Sequence, residues 1–334
     1  MGLYSHEMLF GLAAAHPEVR FRFCYRPHRY FRSWRETLPP NARRRLLAEP
    51  LGARGAQLFH GLNQRLPATG LPRSVATFHD LFVMTSEYST PDFRARFTEQ
   101  ARDAASRATA VIAVSEFTRR QVIALLGVAP ERVHVVHHGV RGVPGSPGNP
   151  VAGRAEEPRE RVVLNVGAIQ KRKNIARLVG AFETVSADWR LVLAGSAGYG
   201  SEEILARIAK SPANNRISVL GYISPAELAG WYARCSVFAF PSLDEGFGMP
   251  VLEAMAAGAP VLTSDRSALP EVAGDAALLA DPENIEALGK ALRDLTQSED
   301  LRRNLARRGS LRAQLFTWEK AVRATWDVYR QVLD

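Results

Sequence analysis

Glu245 and Glu253 stand with seven residues between them in the segment PSLDEGFGMPVLEAMAAG, residues 241–258. An apolar run at 237–240 ends in this glycine-bearing loop, Pro250 suits the first turn of a helix, and Gly258 suits its stop. Such a loop offers free backbone N–H groups at a helix N-terminus and at the carboxyl end of a strand, where an open α/β sheet binds phosphates. A carboxylate accepts hydrogen bonds from vicinal hydroxyls. Glu245 on the loop and Glu253 inside the helix therefore suit a sugar or a ribose at two levels of one site. Taken alone, the same pair also reads as a solvated loop and helix face. A second candidate is His79, which with Asp80 ends the run at 75–78 and so stands at the carboxyl edge of a sheet. It reads either as a site residue or as a histidine tethered by Asp80 to cap a loop.

The elements that must hold these residues follow from periodicity. Short apolar runs alternate with segments of helical period along the whole chain, the pattern of parallel sheets wound with helices. The runs fall at 21–25, 58–59, 75–78, 110–114 and 133–136, then at 162–166, 191–194, 217–220, 237–240, 260–263 and 277–280. Between the two sets, 140–160 is rich in Pro and Gly and then charged, a linker composition. The 334 residues thus divide into an N-terminal domain at 1–139, a linker at 140–160, a C-terminal domain at 161–315 and a closing helix at 316–334. That helix carries Trp318, Val322, Trp326, Tyr329 and Val332 at helical spacing, a stripe for burial against the N-terminal domain. Ser115, directly after the run at 110–114, suits an N-cap as well as a cleft position.

Composition narrows the function classes. The net charge is +9, and residues 1–140 hold 19 Lys and Arg against 11 Asp and Glu, so almost all of the excess lies in the first domain. Residues 20–54 contain ten arginines interleaved with Phe21, Phe23, Tyr25, Tyr30, Phe31 and Trp34, which suits an anionic membrane surface. No helix-turn-helix, zinc-finger or RNP-like signature accompanies the charge, so nucleic acid is not an expected partner. Cys24 and Cys235 lie in different domains, which suggests neither a disulfide framework nor a zinc site. The longest charge-free stretch, 142–153, is twelve residues rich in Gly and Pro, far short of a membrane span. With no basic region leading into an apolar core at the start, the expected location is cytoplasmic, peripheral on the inner face of the plasma membrane.

Five segments in order carry a resemblance. VIAVSEFTRR at 111–120, VVHHG at 135–139, GAIQKRKN at 167–174, the glutamate segment at 241–258 and LPEVAG at 269–274 together resemble the retaining family 4 glycosyltransferases, over essentially the whole chain. The resemblance implies an α/β chain of the GT-B fold, with two Rossmann-like domains facing a central cleft. It implies a nucleotide-sugar donor on the C-terminal domain and a saccharide or lipid-linked saccharide acceptor on the N-terminal one. By match, Glu253 binds the donor ribose and Glu245 contacts the transferred sugar, with Gly246 and the loop amides of Phe247, Gly248 and Met249 nearby. Lys173 matches the lysine that pairs with the diphosphate. Where many members have an arginine after Gly167, this chain has Ala168, and Arg172 is the natural substitute. Base recognition falls near Tyr222, and His79 matches a histidine that faces the donor across the cleft.

Nothing in the sequence resembles an Asp-x-Asp metal site, so no metal or other cofactor is expected, and Lys173, Arg172 and helix amides take the leaving diphosphate. The pattern around His79 and Arg172 favours a mannose-type transfer from a GDP-sugar, with UDP-sugars as the other donor. GLYSHEML at 2–9 resembles the point where relatives enter their first helix, which puts Gly2 and Tyr4, with Asp80, on the acceptor side. The same likeness implies that the opening strand of the N-terminal domain is missing. The alternative function is therefore a non-catalytic or N-terminally truncated, inactive homologue that binds a nucleotide-sugar.

Overall fold

The computed structural model describes residues 2–47, 53, 55–68, 73–141 and 159–334. Of the expected linker at 140–160, residues 142–158 lie outside the described residues. Two compact units result. One comprises Met1–Thr85, Thr90–Gly139 and Thr317–Asp334, and the other Ser86–Ser89 and Val140–Phe316.

In chain order the first unit contains α1 (Leu3–Ala15), β1 (Phe21–Tyr25), α2 (Pro27–Ser33), β2 (Ala42–Leu46), β3 (Phe59–Gly61), β4 (Ser74–Phe78), α3 (Phe82–Thr85), α4 (Pro91–Arg107), β5 (Ala110–Ala113), α5 (Glu116–Leu126) and β6 (Val133–Val135). Strands β3-β4-β5-β6 form a parallel sheet, and β1 and β2 pair in parallel as a second sheet. The helix α1 packs Met8 and Leu12 against Val75 and Ile112 of the larger sheet, while Ala13, Leu9 and Phe10 join Phe23 of the smaller one. A cavity of about 1620 Å³ is lined by residues of β1 and β3. Among the described residues no strand joins those two edges.

Strand β2, Ala-Arg-Arg-Arg-Leu, is not among the expected runs: its backbone pairs with β1 in register, Arg22 opposite Arg43. Only Ala42 of β2 is buried. A strand held by its ladder, with one buried side chain, leaves no apolar run to read. Ser115 is an N-cap, its Oγ accepting from the Thr118 N–H, and α5 ends on Gly127 in the left-handed region. These caps fix where the helix leaves the edge of β5.

The second unit contains β7 (Glu160–Val166), α6 (Ile175–Phe182), β8 (Arg190–Ala194), α7 (Ser201–Ala209), β9 (Ile217–Gly221), α8 (Pro225–Arg234), β10 (Cys235–Phe240), α9 (Met249–Ala256), β11 (Val261–Ser264), α10 (Leu269–Ala273), β12 (Leu278–Ala280), α11 (Ile285–Gln297) and α12 (Glu299–Ala313). Its sheet runs β12-β11-β10-β7-β8-β9, all parallel. Numbered from β7, this is the common doubly wound order, with the reversal between β7 and β10. The loops after those two strands begin at Gly167 and Pro241, so topology brings the two most distinctive sequence segments to one crevice. Helix α13 (Trp318–Leu333) closes the chain in the first unit, where Trp318, Val322, Val328 and Tyr329 are buried with Met8 and Leu12.

Candidate active site

The loop after β7 is shaped by glycine. Gly167 has φ +139°, and a Cβ there would stand 3.1 Å from Cε of Lys173, so the bare backbone leaves room for the lysine stem. The chain then turns through Lys171–Lys173 and reaches Asn174, left-handed at φ 57°, at the start of α6. Asn174 Nδ2 donates to the carbonyls of Pro241 (3.0 Å) and Pro282 (2.6 Å). The Arg172 carbonyl accepts from the Leu243 N–H (2.9 Å) and lies 3.1 Å from the Ser242 Oγ. The loops after β7 and β10 are thus stitched together by neutral groups before any charged side chain is considered.

The charges converge on one atom. Glu245 Oε1 accepts from Lys173 Nζ at 2.5 Å and Ser242 Oγ at 2.6 Å, and forms an ion pair with Arg172 Nη1 at 2.7 Å. Arg172 also donates to the Asp244 carbonyl, and the Lys173 ammonium stands 4.5 Å from the centre of the Phe240 ring. All three charged side chains are buried. Burial alone would raise the Glu245 carboxyl, but the Lys173 and Arg172 charges and the hydrogen bonds from Lys173 and Ser242 outweigh it and bring it down to about 2. One carboxylate oxygen thus faces two cations. Glu245 lies on the loop that leads into α9, and a helix start carries positive partial charge. Gly248 caps that helix at φ +104°, where a Cβ would meet Leu269 Cδ2 at 2.7 Å. Met249 opens α9. Such a site can take a dianion such as a diphosphate.

Glu253 lies one helical turn further along α9 in a different environment. The Tyr232 hydroxyl donates to its Oε2 at 3.0 Å, and burial raises its carboxyl while that hydrogen bond pulls the other way. The two glutamates are therefore pushed in opposite directions, Glu245 firmly ionised and Glu253 less so. Tyr222 projects from the turn after β9 and is 79% exposed. Gly246 and Phe247 lie buried in the loop before α9.

His79, Tyr4 and Gly2 belong to the first unit. Gly2 precedes α1 in an extended conformation. The Tyr4 ring meets His79 edge-on at 4.6 Å and His138 at 4.9 Å, and its hydroxyl pairs with Thr77 Oγ1 at 3.0 Å. His79 Nε2–H donates to the Leu62 carbonyl at 2.9 Å, which leaves Nδ1 to accept from His138 Nε2 at 3.4 Å. Burial lowers both imidazoles, so both are neutral near pH 7. A part for His79 in chemistry requires its ring to exchange one of these partners. Asp80 follows directly, beyond the end of β4.

Sequence reasoning missed Ser242, Tyr232 and Asn174. Ser242 carried a faint signal, a hydroxyl three residues before Glu245 on the same loop. Tyr232 carried none, being 21 residues from its partner on another helix.

With this geometry in place, comparison with known proteins is decisive. Residues 152–312 match the family described as "Glycosyl transferases group 1", and residues 6–141 match "Glycosyltransferase Family 4". O-antigen chain mannosyltransferase B of Escherichia coli is 31% identical over 282 residues, covering 82% of this chain and 74% of its own. The chain belongs to glycosyltransferase family 4. Another relative, MMP alpha-(1->4)-mannosyltransferase of Mycolicibacterium hassiacum, is 29% identical over 71% of this chain and 57% of its own. Against the serotype-specific mannosyltransferase WbdA of Escherichia coli the chain spans about a third of that protein's length. Among solved structures, sucrose-phosphate synthase from Thermosynechococcus elongatus aligns with TM-score 0.78 at 22% identity, covering 98% of this chain and 92% of that one. The Anabaena protein HepE, solved with UDP and glucose, aligns with TM-score 0.74 at 16% identity over 99% and 96%. The fold is GT-B, built on two Rossmann-like units, and the family's activity is glycosyl transfer.

The Glu245 carboxyl is depressed in the folded state, so its stabilisation is complete above the unfolded value near 4.5 and is lost as pH falls toward about 2. Glu245→Gln is expected to lose on the order of 3 kcal/mol at pH 7 and to narrow its deficit relative to wild type between pH 4.5 and 2. Urea unfolding across that range measures it; a deficit independent of pH would contradict the ion cluster.

Proposed function

We propose that this family member is a retaining hexosyltransferase that needs no metal ion. It moves a mannose-type sugar from a GDP-sugar, with UDP-sugars as the other donor class, to a saccharide or lipid-linked saccharide. The observation that carries this reading is the buried Lys173, Arg172 and Glu245 cluster at the β7/β10 reversal of the second unit. Its two cations supply the charge stabilisation that a divalent ion would otherwise give a leaving diphosphate. The relatives named as mannosyltransferases support mannose.

In this mechanism Lys173, Arg172 and the amides of Phe247, Gly248 and Met249 bind the diphosphate, and Glu253 receives the ribose hydroxyls. Tyr222 and the backbone around Gly221 meet the base. As the cations turn to the phosphates, Glu245 is released to accept from a hydroxyl of the transferred sugar. The bond from the anomeric carbon to the phosphate oxygen breaks, the acceptor oxygen bonds to that carbon on the same face, and the acceptor proton passes to the departing phosphate oxygen. No protein base is required.

Purified protein with GDP-mannose and a mannoside acceptor should release GDP, keep its rate in EDTA, and give a product whose anomeric configuration by proton NMR matches the donor's. Lys173→Ala should lower turnover about 100-fold or more. Near-normal turnover in that variant would overturn the phosphate assignment, and an inverted product would overturn retention.

We infer further that the first unit docks at an anionic membrane surface. Phe31 and Trp34 are 78% and 65% exposed, beside exposed Arg29, Arg32 and Arg35. Among the described residues no helix is long and apolar enough to cross a membrane, so the mode proposed is peripheral. In flotation, vesicles with anionic lipid should carry the protein up and neutral vesicles should not; equal recovery contradicts it.

A further inference from the structure

Glu253 is the only charged residue in α9 and sits among buried Val251, Leu252, Ala254 and Met255. A carboxylate so placed is ordinarily neutralised by a cation. Here its single partner among the described residues is a neutral phenol, Tyr232, which donates to Oε2 at 3.0 Å. The other oxygen, Oε1, accepts no hydrogen bond from the described residues and is not sealed from solvent. Such an arrangement fixes the plane of the carboxylate and leaves one oxygen open to an incoming donor of hydrogen bonds.

The phenol is itself held rigidly. Tyr232 is buried at the end of α8, its ring 5.6 Å from that of Phe238 on β10. Arg159 brackets the two helices, donating to the carbonyls of Tyr232 (3.0 Å), Cys235 (2.8 Å) and Ala257 (2.7 Å), the last of which follows α9. The distance from the Tyr232 hydroxyl to Glu253 is therefore set by the backbone of three elements, not by a rotamer choice on the surface.

We propose that Tyr232 is a positioning residue that aims Glu253 at the cis-diol of the donor's ribose and so makes the site select ribonucleotides. This inference rests on the reading of the second unit as a nucleotide-sugar site. In Tyr232→Phe the ring still fills its place, but Oε2 loses its tether. The carboxylate is then free to rotate away from the diol, and its proton affinity rises. Burial and Tyr232 are the influences acting on Glu253; no charged side chain of α10, α12, β10 or β11 among the described residues joins them.

The test is calorimetric titration of wild type, Tyr232→Phe and Glu253→Gln with GDP, UDP and their 2′,3′-dideoxy counterparts. The expected result is that Tyr232→Phe weakens the better-binding ribonucleotide about tenfold, which is roughly one hydrogen-bonded contact, and leaves its dideoxy counterpart unchanged. Adding Tyr232→Phe to Glu253→Gln should then weaken the ribonucleotide no further. The pH below which ribonucleotide binding fades should also move upward in Tyr232→Phe. Equal weakening of both sugar forms, or of neither, overturns the positioning role. Failure of every nucleotide to bind wild type overturns the nucleotide-sugar reading itself, and with it this inference.

Discussion

One carboxylate oxygen organises the second unit. Glu245 Oε1 draws together an ammonium, a guanidinium and a hydroxyl from two different loops. Three desolvated charges in one place are tolerable only because each satisfies another, and removing one partner of such a group strands the rest. The consequences run outward from there. Lys173 can reach Oε1 because Gly167 has no Cβ in its path, and Glu245 can face the cations because the Arg172 carbonyl pins Ser242 and Leu243. On the far side the Glu245 N–H donates to Ser267 Oγ and its carbonyl accepts from Ala268, which ties the loop to the start of α10.

The cluster also explains how a site for a doubly charged ligand is kept folded while that ligand is absent. Lys173 and Arg172 would repel each other if left bare in a buried crevice. Glu245 serves as their counter-ion, and in the proposed mechanism a diphosphate takes over that part and frees the carboxylate for the sugar. Glu253 follows the opposite logic, since its partner is a neutral phenol. One helix and the loop before it thus hold two carboxylates in different environments.

Much of this was legible in the sequence, for reasons that particular residues make plain. The run at 237–240 is fully apolar and that at 162–166 is apolar but for the buried Asn165, because strands β7 and β10 are central and covered on both faces; Val166 leads directly into Gly167, and the loop after β10 holds Gly246 and Gly248. Strand β2 was not legible, because Arg43, Arg44 and Arg45 carry no apolar pattern and the strand exists through its pairing with β1. Lys173, Arg172 and Glu245 could be named from their segments, but that they share one oxygen depends on the stitching by Asn174 and Ser242. Tyr232 could not be found at all, since only the folding of α8 and α9 onto the same sheet brings it to Glu253. His79 stands at the end of β4 as expected, yet its partners Leu62 and His138 come from distant loops and decide which ring nitrogen carries the proton.

The central claim is that a diphosphate and the Glu245 carboxylate compete for Lys173 and Arg172. Calorimetric titration of wild type and Glu245→Gln with inorganic pyrophosphate tests it most directly. Because the amide removes the competitor and leaves both cations in place, the variant should bind pyrophosphate about tenfold more tightly, a gain of about 1.4 kcal/mol. Unchanged or weaker binding in Glu245→Gln would contradict the account.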